Sequence, residues 1–539
     1  MGRRFVAVSA AAGAVALVLM AIAAQPAAAA SCPITVGNRA FARAAQLRAT
    51  MGKVVGFGQL RNAGSRSHNQ ELGWLESRLK RIRGIRVRSD PYFVRGWQPT
   101  TPVKNGPGRD LARAGELRLL NARGSSSRIP VAGAVPYSRP TNDRGSGGPL
   151  VYLPPDQPIT AANSAGKVVI RDFPQASIPS AGIQFLSLYI TPDLASQTGD
   201  YARPYLAPLN KDMFAAGTAG AASLIFAFDV PRKQVRGYWD PHDGTHYKLP
   251  GLFVGADQGT QLKGLAAAGR SARVVVHAAS KRAKTRNLIA TLRGQSSQRI
   301  VLSTHTDGVT WVQENGVAGV LAMARYLASL PKQCRPRTFQ FEFGSGHLGF
   351  ARDGTELYAR ALDPQYDEGT VAFAFALEHM GTREILPVPD ADGSGQHLVF
   401  TGRGEAYLFG AGDSEALHQA AVNATKGRNL DDTAVLRGLG APVTGQAPPI
   451  CSMGGIGTAF QTHLIPTLAM ISGPWSLWAP SFGRQAVDFN RMRSQLLAAG
   501  DSILALQRLP SAEIAGDYPN YRAQRAAGTP TCSTELPPQ

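Results

Sequence analysis

Residues 300–316 read IVLSTHTDGVTWVQENG. A run of apolar, largely β-branched residues ends in His305-Thr306-Asp307. Glu314 follows a few positions later, just before a small-residue helical pattern begins. An imidazole and carboxylates at the end of a strand buried on both faces can hold a metal ion, because zinc accepts both donor types. Yet Glu314 stands between Gln313 and Asn315, where a pair of carboxylates would be expected. The stretch is therefore either a working metal site or the shell of one.

Other groups carry less chemistry. The loop DPHDGTHY brings Asp240, His242, Asp243 and His246 together, but its spacing matches no zinc signature. Local Asp hydrogen bonds that shape a loop are the simpler reading. Asn423-Ala-Thr is a formal glycosylation triplet, of a kind that often arises by chance. Cys32, Cys334, Cys451 and Cys532 allow three disulfide connectivities. Because chain ends are often close in space, Cys32 with Cys532 is the favoured pair.

The elements that must position these residues follow from composition and pattern. The chain has 539 residues, 44% of them hydrophobic, enough for two or three domains and a large core. MGRR, an apolar stretch to about Ala24 and the small-residue run after it read as a secretory signal peptide over 1–30. Cleavage near Ser31 would release a secreted, extracellular chain, in which the even cysteine count suits disulfides. No later run is long and apolar enough for a membrane span.

The net charge of +20 includes the dense run RLKRIRGIRVR. Aromatic residues are not interleaved with it, and no nucleic-acid reader motif is present, so nucleic acid is not the expected partner. Leu72, Leu75, Leu79 and Ile82 share one helical face, leaving the charges on the solvated side. The excess charge suits an anionic envelope polymer instead.

From 106 to 284, short strands are punctuated by Gly and Pro, as in GPLVYLP and GKVVIRDFP, which predicts a compact α+β unit of its own. From 285 to 510, apolar strands such as RIVLSTH, RTFQFEF and TVAFAFALEHM alternate with amphipathic helices. That alternation predicts an α/β fold with a mixed, largely parallel sheet flanked by helices. Residues 31–105 would form its N-terminal part, and 511–539 a loosely ordered tail unless Cys532 pins it.

Six segments, in order, carry a resemblance: RNAGSRSHNQELGWLESRL, the 106–284 unit, TRNLIATLRGQSSQRIVLSTHTDG, FQFEFGSGHLG, FALEHMG and GTAFQTHLIPTLAMISGP. Together they resemble the secreted co-catalytic zinc aminopeptidases, related to glutamate carboxypeptidase-like enzymes, with 106–284 resembling their inserted protease-associated domain. The resemblance implies a zinc-aminopeptidase-like fold and a site of two zinc ions sharing a carboxylate, with a Glu as general base. It aligns His305 with a metal-binding His, Asp307 with the partner that fixes its tautomer, and Glu378 with a metal-binding Asp.

The other positions depart from the family pattern. The bridging carboxylate aligns with Gln313, with Glu314 one position away. Gly346 and His347 replace a Glu-Glu pair, removing the general base and leaving an imidazole as a candidate ligand or base. The last metal-binding His aligns with Gly457, and His463 is the nearest histidine. The expectation is thus a degraded two-zinc site with at most one ion, drawn from His305, Glu314, His347 and Glu378. Such a protein would show weak or no peptidase activity and would bind peptide or envelope polymer. Two alternatives are a metallohydrolase with a rearranged one-metal site and a basic structural or adhesive envelope protein.

Overall fold

The computed structural model describes residues 1–2, 32–104, 106–121, 125–349, 354–393, 395–440 and 442–532. The expected signal peptide and its cleavage point at Ser31 lie almost wholly outside these residues, as do 533–539.

Nine strands form the main sheet: β1 (Ile85–Pro99), β2 (Ser187–Ile190), β3 (Ala278–Leu292), β4 (Arg299–His305), β5 (Thr338–Gly344), β6 (Val371–Leu377), β7 (Tyr407–Ala411), β8 (Thr433–Leu436) and β9 (Thr467–Ser472). Their spatial order is β1-β3-β5-β4-β6-β9-β7-β8-β2. The central four, β5-β4-β6-β9, run parallel, while β1, β3 and β2 pair antiparallel at the flanks and β7 meets β9 antiparallel. Every residue of β6 and all but the first of β4 are buried, which explains their unbroken apolar runs. The fold class read from the alternating pattern is the one observed.

The helices that matter here are α1 (Ala44–Val55), α2 (Arg66–Lys80), α3 (Gly316–Ser329), α4 (Gly354–Asp367), α5 (Glu415–Gly427) and α6 (Phe489–Leu506). On α2, Leu72, Leu75 and Leu79 are buried while Arg78 and Lys80 are exposed, as are Arg81 and Arg83 just beyond it. His68 and Glu71 of the same helix are also buried, which its charge pattern does not announce. Helix α3 is small-residue and nearly wholly buried. At Gly316 a Cβ would run into the Leu377 carbonyl and the Thr304 side chain, so only glycine lets α3 start against the strand ends.

A second sheet of eight strands lies between Gly115 and Val276. The two sheets share one apolar cluster. Trp97, near the end of β1, donates Nε1–H to the Ser138 carbonyl at 2.8 Å and stands edge-on to Trp239 at 5.9 Å. Strand β2, although it falls within 106–284, pairs with β8 at the edge of the main sheet. Among the described residues, no helix is long and apolar enough to cross a membrane.

The disulfides are Cys32–Cys334 and Cys451–Cys532, which corrects the pairing of Cys32 with Cys532. The two ends dock at different places. Arg508, just past α6, donates to the carbonyls of Cys32 and Pro33 at 3.0 and 2.7 Å. The C-terminal segment instead lies along 446–451, with Ala447 N–H donating to the Pro530 carbonyl at 3.0 Å. Tail residues Tyr518–Ala526 form a helix whose Arg522 pairs with Asp363 and Asp367.

Candidate metal centre

The parallel strands β4 and β6 end side by side, placing His305 next to the turn that carries Glu378 and His379. His305 Nδ1 donates to the Asp307 carbonyl at 2.9 Å, which leaves Nε2 a bare lone pair. His379 Nδ1 donates to the Ser472 carbonyl at 2.9 Å with the same consequence. Glu378 Oε1 accepts the Ile456 N–H at 2.9 Å. Its other oxygen, Oε2, lies 3.4 Å from His305 Nε2 and 3.6 Å from His379 Nε2. All three of these facing atoms are buried without a hydrogen-bond partner. His305, Glu378 and His379 each offer a ligand atom within 4.8 Å of the others.

Orphaned buried polar atoms are costly, and three that converge define a place for a cation. Two imidazoles oriented by main-chain carbonyls and one carboxylate anchored by a main-chain N–H form a donor set that fits zinc. Burial alone would strip the His305 proton. The nearby Asp307 and Glu378 carboxylates outweigh burial and push its pKa up to about 10, so without metal a proton takes the cation's place on Nε2. Burial drives His379 far down, aided by the His305 charge, so its ring is neutral.

Sequence reasoning missed His379. Adjacent residues on a strand face opposite sides, so Glu378 and His379 should not share a site. The strand ends at Leu377, however, and His379 sits at φ 53, where few side chains are tolerated. That turn swings the imidazole back beside Glu378. The signal was the His-Met-Gly after an apolar run, where a turn can start. Gly455, at φ 48, completes the cradle: a side chain there would overlap the Glu378 carboxylate.

The other expected residues are placed differently. The Asp307 carboxylate stands 3.8 Å from His305 Nδ1 and accepts three main-chain N–H groups, those of Gly346 at 3.1 Å, His347 at 3.0 Å and Leu348 at 2.8 Å. It is thus the carbonyl of Asp307 that orients His305, while the carboxylate holds the turn after β5. Burial would raise the Asp307 pKa, but the nearby His305 and then the other histidines around it bring it down to about 2. His347 lies against His305 with ring centroids 4.3 Å apart and planes tilted by 40°, outside the converging set. Burial and then the His305 charge lower its pKa to about 3.

Glu314 turns away to a fully buried ion pair with Arg61, whose Nε also lies 3.6 Å from Glu71. Burial pushes Glu71 up to about 8 and Arg61 down to about 10, each toward its neutral form. Gln313 spends its Oε1 on the Val309 N–H at 2.7 Å. At Gly457 there is no room for a side chain: a Cβ would stand 2.6 Å from that of Ala469 and 3.2 Å from that of Met453. His463 lies between Glu356 at 2.9 Å and Asp363 at 3.2 Å, an ion-pair cluster that includes no metal-centre residue.

The Asp-rich loop of 106–284 is locally bonded as expected: Asp240 takes His242 at 2.8 Å, and Asp243 takes the Thr245 N–H and the Tyr247 hydroxyl. It also reaches the site. The His242 ring packs on Trp478 at 4.2 Å and lies 5.9 Å from His347.

No protein-family model and no curated protein matches the chain. Solved structures do share its fold. A zinc aminopeptidase from Bacillus subtilis aligns with a TM-score of 0.57 at 14% identity, covering 87% of this chain and 97% of that one. A peptidase M28 precursor from Shewanella amazonensis gives 0.55 at 14% identity, covering 92% and 96%. An aminopeptidase from Aneurinibacillus sp. strain AM-1 gives 0.52 at 15%, again covering 92% and 96%. The chain therefore has the zinc-aminopeptidase fold; identities this low carry the fold and not the chemistry.

Proposed function

We propose that this chain is an exported zinc-aminopeptidase-fold protein that holds a single zinc ion at His305, Glu378 and His379 and binds peptide without two-metal hydrolysis. The observation that carries this reading is the convergence of three partnerless buried ligand atoms. A zinc ion held there would supply Lewis acidity toward a peptide carbonyl or carboxylate.

The chain's own residues support binding over cleavage. Gly346 has no side chain to accept a proton. Glu314 is neutralised by Arg61, and Asp307 is committed to the 346–348 turn. His347 is neutral, but an imidazole with a pKa near 3 is a poor general base at neutral pH. With Gly457 closed to a side chain, a second metal position has no ligand from that turn. His242, from the segment 106–284 read as an inserted protease-associated unit, lies beside Trp478 and 5.9 Å from His347, where both rings would contact a bound peptide. Export is supported by the N-terminal composition and by two disulfides.

Hydrolysis of aminoacyl 4-nitroanilides by the mature protein with added zinc tests this reading. We expect no turnover above background. Robust turnover abolished by His347→Ala would overturn it in favour of a rearranged one-metal hydrolase with His347 as base.

A further inference from the structure

A cavity of about 370 Å³ opens where α1, the residues just before α6 and the strand Arg383–Pro389 meet, away from the metal ligands. Three arginines line it from three separate elements: Arg48 on α1, Arg383 at the start of its strand, and Arg484 in the turn Pro480–Ala486. Ala44 and Ala45, on the same side of α1 as Arg48, leave the space open.

One carboxylate, Asp488, is among the lining residues, and it is already engaged. Its Oδ1 caps α6 by accepting the N–H of Asn490 at 2.8 Å and of Arg491 at 3.2 Å, and Oδ2 stands 3.8 Å from Arg383. Among the described residues, no carboxylate pairs with Arg48 or Arg484.

All three arginines are exposed at this open cleft, so their summed positive field reaches an anion that enters it. Their planar forks suit phosphate and carboxylate oxygens, and Gln485 and Asn490 add neutral amide donors at the rim. Charge separates the two ligand classes. Three guanidiniums against one carboxylate leave two positive charges, which a phosphate monoester of charge about −1.5 to −2 neutralises and a single carboxylate does not. The volume exceeds that of a bare ion and falls within the range of small-molecule sites.

We propose that this cavity is a binding site for a phosphate monoester of sugar-phosphate size. It shares no residue with the metal centre, so it stands or falls independently of the zinc reading. Calorimetric titration of the full mature protein with glucose 6-phosphate at low salt tests it, with glucuronate as the carboxylate counterpart. We expect one saturable site for glucose 6-phosphate. Binding should weaken at least about tenfold in Arg48→Ala/Arg484→Ala, with unchanged zinc content and melting temperature. Arg48→Gln/Arg484→Gln, which keeps side-chain bulk, should lose binding equally. Arg95→Ala/Arg282→Ala, on the exposed β1–β3 ribbon, should leave it unchanged. No saturable binding, equal loss in the ribbon variant, or glucuronate binding as tightly would each overturn the proposal.

Discussion

On the β6 side of the site, three buried ligand atoms without a hydrogen-bond partner converge within 4.8 Å of one another; on the side of β5 and the entry to α3, Arg61 already stands beside Glu314 and main-chain N–H groups hold Asp307, although Glu314 Oε2 and both Glu71 oxygens also lack a hydrogen-bond partner. The two halves are equally buried, so burial does not distinguish them. What differs is arrangement: on one side the open atoms face one another, and on the other an arginine already stands among them. Main-chain carbonyls hold His305 and His379 with their Nε2 lone pairs facing inward, and only a cation or a proton can reconcile those with Glu378. Across the site, Arg61 already supplies a positive charge to Glu314, and packing closes the position of Gly457. A residue of the right type in the right neighbourhood is a ligand only if nothing else has claimed it.

The largest expected effect comes from removing the arginine that stands in one half. Arg61→Ala leaves Glu314 buried without its cation and should cost about 3–5 kcal/mol of stability, read by denaturant unfolding. A loss under about 1 kcal/mol would show that the ion pair does not hold this half closed.

Next is the half where the three open atoms converge. His379→Ala should weaken zinc by more than about 100-fold in competition with a chromogenic chelator, as should His305→Ala, because each would remove one of the three proposed ligands, where even indirect supports cost 10–100-fold. Glu314→Gln should leave zinc affinity unchanged. If His379→Ala binds zinc normally while Glu314→Gln does not, the assignment of the halves is reversed.

Restoring the missing imidazole sharpens the contrast. Gly457→His should gain no second zinc and should destabilise the fold by about 1–3 kcal/mol, since the new side chain must displace Ala469 and Met453. A stable variant with a second bound ion would show that the packing there yields.

The smallest effect lies outside the comparison and calibrates it. His463 is held above its ordinary 6.5, at about 9: burial opposes its charge, but hydrogen bonds to Asp363 and then Glu356 prevail. A raised histidine contributes stability that is full below pH 6.5 and is lost as pH rises through 9. We expect a decline of about 1–2 kcal/mol across that window, absent in His463→Gln. A pH-independent difference between the two proteins would contradict it.

Much of the fold was legible because buried parallel strands write unbroken apolar runs, as in VAFAFAL before Glu378. His305 and Glu378 were legible for the same reason, since both sit where such a run stops. His379 was not, because its role depends on one backbone turn at φ 53 that the two-residue strand period argues against. The claim of Arg61 on Glu314 was also invisible, since it joins residues 253 apart in sequence. The disulfides failed for a simpler reason: proximity of the chain ends is a tendency, and here each end docks on its own neighbour.

Zinc stoichiometry by elemental analysis of the mature protein, purified without chelators and dialysed against metal-free buffer, tests the central claim most directly. We expect one zinc per chain in the native protein and none in His305→Ala. Two tightly bound zinc ions per native chain, or one that survives in His305→Ala, would contradict it.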